Sequence, residues 1–205
     1  MLKVGLTGGY ATGKSFVAGE LERLGCLVIY ADRLGHSVLL PGGPAYQPTI
    51  DAFGTGILLP DATIDRKRLA QKVFGSPELL QQLNSFVHPA VFQLEQETMD
   101  AWEVQHPRGI AIIEAAILIE TGRYKNFDRL ILTACDVETQ IARGMGRDHL
   151  SRQEVLARLA RQMPLEEKKR HADYVIDTSG PKQATLRQVR SVFKELKELA
   201  AAAER

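Results

Sequence analysis

The residues whose spacing carries the most chemistry are Gly8-Gly9-Tyr10-Ala11-Thr12-Gly13-Lys14-Ser15, which match the phosphate-loop pattern G-x-x-x-x-G-K-[ST] at every fixed position. Glycines allow positive φ and let backbone approach an anion. Successive amides followed by a helix N-terminus form a concave donor surface for phosphate oxygens. In such a loop Lys14 reaches the β- and γ-phosphates and Ser15 offers its hydroxyl to Mg²⁺. The bland alternative, a glycine-rich turn with a solvated lysine, fits the flanks less well. Leu2 to Thr7 reads as a short buried strand, and Phe16, Val17, Leu21 and Leu24 recur at helical spacing after the loop.

A second candidate is Asp32, which follows the apolar run Cys26-Leu27-Val28-Ile29-Tyr30. Ligands of open α/β sheets bind beyond the carboxyl ends of strands, so a neighbouring position for the first two strands would set Asp32 close to the loop. A carboxylate there either accepts a proton from an attacking hydroxyl or holds Mg²⁺ directly or through water. A helix N-cap role is compatible with both. The third region is 139–165. Arg143 and Arg147 stand four apart with Gly144 and Gly146 softening the helix around them, and Arg158, Arg161 and Gln162 follow. Guanidinium forks suit phosphate oxygens, and a glycine-softened helix can move, which describes a mobile lid.

The elements that must position these groups alternate as a parallel sheet requires. Further strands are read at Ile110 to Ile113, ending in Glu114, at Leu130 to Thr133 and at Tyr174 to Asp177. Glu114 suits a metal-side carboxylate and a supporting or surface acid equally well. The last helix, from Lys182, places Leu186, Val189, Phe193 and Leu196 on one face. Residues 39–64 are rich in turn chemistry, and a helical pattern runs from Asp65 to Gln105, so 41–108 reads as a mainly helical insertion in a core of 1–40 and 109–205. His88-Pro89 marks a helix boundary or kink. His88 reads as a hydrogen-bonded structural residue and Trp102 as packing.

Composition excludes several classes. Lys plus Arg is 26 against 25 acidic residues, a net charge of +1, which gives no global basic field for nucleic acid. Cys26 and Cys135 are the only cysteines, each in an apolar segment, and the five histidines show no H-x-x-x-H pair. No apolar run approaches the ~20 residues that cross a bilayer. A cytoplasmic, soluble protein, monomeric or a small homo-oligomer, is expected.

Together the motifs resemble the dephospho-coenzyme A kinase family. The resemblance rests on Leu6-Thr7-Gly8-Gly9 with Gly13-Lys14-Ser15, Ala31-Asp32, Phe53-Gly54, Asp65-Arg66, Leu83-Asn84 and Val87-His88-Pro89. It continues in Leu118-Ile119-Glu120, Gln140, Arg143, Arg147-Asp148, Gln162 and Ala172-Asp173-Tyr174-Val175-Ile176. It implies the P-loop nucleoside triphosphate hydrolase fold: a five-stranded parallel sheet flanked by helices, a helical insertion for the coenzyme substrate, and a lid. The implied reaction moves the γ-phosphoryl of ATP to the ribose 3′-hydroxyl of dephospho-coenzyme A. On that resemblance ATP would be held by Gly9, Ala11, Thr12, Gly13, Lys14, Ser15, Phe16 and Arg147, with Mg²⁺ at Ser15. Asp32 would be the base, Lys14 and Arg143 would stabilise charge, and Thr7, Asp32, His88 and Gln162 would contact the acceptor. His36 stands where the family usually has arginine, Ala116 where a proline is common, and Thr178 where an asparagine is common. Two alternatives remain: a kinase of another small molecule such as a nucleoside or sugar acid, and a nucleotide-binding module without transfer chemistry.

Overall fold

The computed structural model describes residues 1–202, so residues 203–205 of the expected core lie outside the described residues. In chain order the elements are β1 (Leu2–Gly8), α1 (Lys14–Arg23), β2 (Leu27–Tyr30), α2 (Ala31–Ser37), α3 (Tyr46–Phe53), α4 (Arg66–Val73) and α5 (Pro77–Glu103). They continue with β3 (Ile110–Glu114), β4 (Arg129–Ala134), α6 (Val137–Asp148), α7 (Arg152–Leu159), α8 (Leu165–Lys169), β5 (Tyr174–Asp177) and α9 (Lys182–Ala202). Two compact units result. The first takes Met1–Ile29 and the chain from Trp102 onward, and the second is Tyr30–Ala101.

The first unit is organised by a five-stranded sheet in the order β2-β3-β1-β4-β5. β1 runs parallel to β3, with Leu2 opposite Ile110 and Leu6 opposite Glu114, and parallel to β4, with Gly8 opposite Thr133. β4 and β5 are also parallel. Val4, Leu6, Ile112, Ile113, Ile131 and Leu132 have no exposed surface. Continuous apolar runs are what strands covered on both faces need. Val17, Ala18 and Leu21 of α1 and Val189 and Leu196 of α9 are fully buried. Glu20, buried on α1, is paired with Arg23 and Arg190, each at 3.2 Å, which offsets the cost of enclosing its charge.

The strand order corrects one expectation. β2 is not the neighbour of β1, because β3 lies between them, so their backbones stand two strand spacings apart, about 10 Å. Sequential strands are neighbours about two-thirds of the time, and nothing local in Cys26 to Tyr30 reveals the exception.

In the second unit Phe53, Ile57, Ile64, Leu69 and Val73 form one apolar cluster, and Val38, Ala45, Ala90 and Val91 another, with Leu34 packed against it. Leu34 belongs to α2, which explains why this unit begins at Tyr30, whereas the sequence pattern drew the insertion at 41–108. Asp65 caps α4, its carboxylate accepting from the amides of Lys67 and Arg68 at 2.9 and 3.2 Å. Two local readings change. The turn-rich stretch contains α3, whose Pro48 sits in the first turn where no intrahelical donor is needed. His88-Pro89 is not a helix boundary, since α5 continues through Pro89 to Glu103. Trp102, in the first unit, packs where a Cβ on Gly109 would lie 2.1 Å from its ring.

Candidate functional site

The phosphate loop leaves β1 at Gly8, where a side chain has no room: a Cβ there would lie 2.1 Å from Thr133 Oγ1 and 2.7 Å from the Thr133 carbonyl oxygen. Gly13, at φ 80°, caps α1 without a side chain, so the helix N-terminus faces the loop with its amides, the arrangement that attracts phosphate. Ala11 also adopts the left-handed region, at φ 57°. Threonines hold these unusual angles. The Thr12 hydroxyl donates to Gly9 O at 2.9 Å and lies 2.8 Å from Thr133 Oγ1, and the Thr178 hydroxyl donates to Thr12 O at 2.9 Å. Thr12, Thr133 and Thr178 are all buried, so the loop has a fixed floor.

Charge stands around that floor. Lys14 Nζ donates to the carbonyls of Gly8 and Gly9 at 2.9 and 3.2 Å. Arg143, on α6, donates to Thr178 Oγ1 at 3.0 Å, to Thr178 O at 2.6 Å and to Ala11 O at 3.4 Å. Ser15 is exposed in the first turn of α1, and Phe16 lies under Lys182, whose ammonium is 5.7 Å from the ring centroid. The loop is also tied to the helical segment beyond β4. Tyr10 N donates to Gln162 Oε1 at 2.8 Å, and Gln140 Nε2 donates to Tyr10 O at 2.9 Å. Arg147 grips Asp148 with two hydrogen bonds, at 2.8 and 2.9 Å, and the Tyr10 hydroxyl donates to the same carboxylate. Those Arg147 and Tyr10 contacts hold the Asp148 carboxyl far below its ordinary range, while burial and Asp148 raise the Tyr10 phenol. A cavity of about 330 Å³ opens between Gly9 and Thr12 of the loop and Leu156, Leu159 and Met163.

Of the sequence candidates, Gly9, Ala11, Thr12, Gly13, Lys14, Ser15, Phe16, Arg143, Arg147 and Gln162 therefore belong to one neighbourhood in the first unit. Thr7 lies beneath it, fully buried, its hydroxyl donating to Ala116 O at 3.2 Å. Glu114 ends β3 as a buried acid, 6% exposed. Asp32 and His88 are in the second unit. Asp32 is exposed in the first turn of α2, whose N-cap is Tyr30, so Asp32 is not the capping residue. His88 stacks on Phe92 with ring centroids 5.9 Å apart, and His36 Nδ1 is 3.4 Å from Arg66 Nη1. Sequence reasoning named Arg147-Asp148 but missed Tyr10 and its bond to Asp148, Thr12's partner Thr133, and the bond from Thr178 to the loop. Tyr10 occupies a position that the loop pattern leaves open.

Comparison with known proteins agrees along the chain. A family model described as Dephospho-CoA kinase matches residues 2–183. The dephospho-CoA kinase of Geobacter metallireducens is 45% identical over 196 residues, covering 95% of this chain and 96% of its own. Among solved structures, TT1252 from Thermus thermophilus aligns with a TM-score of 0.80 at 31% identity, covering 95% of this chain and 97% of its own. The dephospho-CoA kinase from Campylobacter jejuni aligns with a TM-score of 0.64 at 26% identity, covering 95% and 96%.

Proposed function

The chain belongs to the dephospho-CoA kinase family, and from that premise we propose the roles its residues play in the family reaction. It is a P-loop kinase, a phosphotransferase acting on a hydroxyl group. It transfers the γ-phosphoryl of ATP to the ribose 3′-hydroxyl of dephospho-CoA, giving ADP and CoA in the last step of CoA biosynthesis. The observation that carries the residue roles is the loop itself, with its open helix N-terminus, left-handed Ala11 and Gly13, and cations on both sides.

ATP lies with its phosphates against the amides of residues 9–16, Lys14 balancing β- and γ-oxygen charge. Mg²⁺ fits the donor set available there: the exposed Ser15 hydroxyl is a hard oxygen ligand, and magnesium prefers such oxygens together with phosphate and water. When bound it neutralises phosphate charge. Asp32 takes the proton from the 3′-hydroxyl as its oxygen bonds to phosphorus and the bond to the β-phosphate oxygen breaks. Arg143 and Arg147 face the charge spread over the equatorial oxygens, the main demand of phosphoryl transfer. His88 and Gln162 serve the acceptor side, with Thr7, fully buried, supporting it from beneath rather than touching the acceptor. The stretch 41–108 holds the coenzyme, and 139–165 closes as a lid that keeps water from the phosphoryl group. The small diffusible substrates support a cytoplasmic location and the near-zero net charge a protein without nucleic acid, and we read the protein as a monomer or small homo-oligomer. Among the described residues no helix is long and apolar enough to cross a membrane.

The test is direct. Purified protein with ATP and Mg²⁺ is offered dephospho-CoA, a nucleoside and gluconate in parallel, and products are identified by mass. CoA formation from the first is expected; turnover of only the other two overturns the assignment.

A further inference from the structure

Tyr10 is bound to the helical segment at every polar group it has and by its ring as well. Its amide goes to Gln162, its carbonyl to Gln140 and its hydroxyl to Asp148. The guanidinium carbons of Arg147 and Arg158 lie 5.2 and 5.4 Å from its ring centroid. Asp148 is the hub on the other side, gripping Arg147 with two bonds and standing 3.6 Å from Arg158 Nη1. The ring fits because α6 has a glycine facing it: a Cβ on Gly144 would lie 2.7 Å from Tyr10 Cε1 and 3.0 Å from its hydroxyl oxygen. Arg147 and Asp148 occupy the last turn of α6, immediately before the left-handed His149 at φ 54°. Helix ends fray, so an arginine placed there is poorly restrained unless something outside the helix holds it.

We propose that Tyr10 is a positioning residue of the transfer reaction: its hydroxyl anchors Asp148 to the phosphate loop, and Asp148 holds the Arg147 guanidinium against that loop. The inference deepens the reading in which Arg147 faces the nucleotide phosphates, and rests on it. Because the anchor is part of the loop itself, the arginine keeps station relative to the phosphates that the same loop binds. Removing only the phenolic oxygen keeps the ring and its packing but releases the Arg147–Asp148 pair to move with the end of α6.

Tyr10→Phe, Arg147→Ala and the double variant are compared with wild type under steady-state conditions, with melting temperatures recorded for each. Loss of one charge-assisted hydrogen bond predicts a fall in kcat of about tenfold to a hundredfold for Tyr10→Phe, with KM for dephospho-CoA within about twofold of wild type. If the tyrosine acts through the arginine, the double variant has the kcat of Arg147→Ala within about twofold. An unchanged kcat in Tyr10→Phe overturns the proposal, and so do losses that multiply in the double variant. A purely structural tyrosine would lower the melting temperature and leave kcat per folded molecule as it was. Should Tyr10→Phe not fold, Asp148→Asn takes its place, with the same fall and the same lack of multiplication expected. Wild-type protein that makes no CoA would overturn the functional assignment itself, a result distinct from an active wild type with an indifferent Tyr10→Phe.

Discussion

Lys14 stands out by the spacing of the loop pattern, Asp32 by its place after the second apolar run and by the family resemblance, and they make separate demands on experiment. Lys14 lies over the first carbonyls of the loop, and the proposed role of its charge is nucleotide binding before any transfer occurs. A ligand at 100 times its Kd stabilises its protein by about 2.7 kcal/mol. Wild type should therefore show a clear thermal shift with ATP, and Lys14→Ala should lose most of it at the same concentration. Asp32, exposed at the start of α2, is assigned the proton. Asp32→Asn should keep ATP affinity, read by the same shift, while losing most turnover; wild-type turnover would remove it from the base role. The loop was legible because its chemistry fixes residue types at fixed intervals. Its supports were not, since Gln140, Gln162 and Thr178 meet it from 130, 152 and 166 residues away and none of those positions is specified by the pattern.

Elements were easier to read than their arrangement. Apolar runs mark all five strands to within a residue or so. The central β1, β3 and β4 are buried almost throughout and need side chains of one kind, while the edge strands β2 and β5 keep short apolar runs although they are only partly buried. Their order was a different matter: the placement of β3 between β2 and β1 is decided by long-range packing that no short window contains. Helix α3 is hidden by the prolines and glycines around it, whereas α5 lies within the stretch read as helical and differs only in passing through Pro89 without a boundary. At this scale Gly144 is the informative position, because α6 approaches the loop over it. A methyl group there must displace the Tyr10 ring or Val155, with Cβ contacts of 2.7 and 3.0 Å. Overpacking costs about 1–3 kcal/mol, partly offset by the roughly 1 kcal/mol that alanine gains over glycine inside a helix. Gly144→Ala should thus melt within about 8 °C of wild type yet lose kcat severalfold, and a wild-type kcat would show that the loop tolerates the displacement.

For the molecule as a whole, the clearest pH dependence of stability comes from Cys26, whose thiol is pushed up to about 12 by burial. Its folded-state value is raised, so the protonated form is the one the fold favours. The contribution is fully present below the ordinary thiol range, near about 8.5, and is lost as pH rises from there towards the folded value. Melting temperature should fall as pH rises between about 9 and 11 in wild type, and fall less steeply in Cys26→Ala; parallel profiles would remove this thiol from the account. One further consequence lies in the sheet. β1 finds its ladder partners at Ile110–Glu114 and Arg129–Ala134, and β2 lies beside β3, so no ladder of the first unit closes until Ile110 has been synthesised. At ~5–20 residues per second the ribosome needs about 5–20 s to cover that stretch. Tyr30–Ala101, an uninterrupted segment, is complete shortly before that point. For that interval the nascent chain trails an apolar leading strand with open edges, the kind of segment that chaperones shield and that pairs with its copies on neighbouring polysomes when they do not.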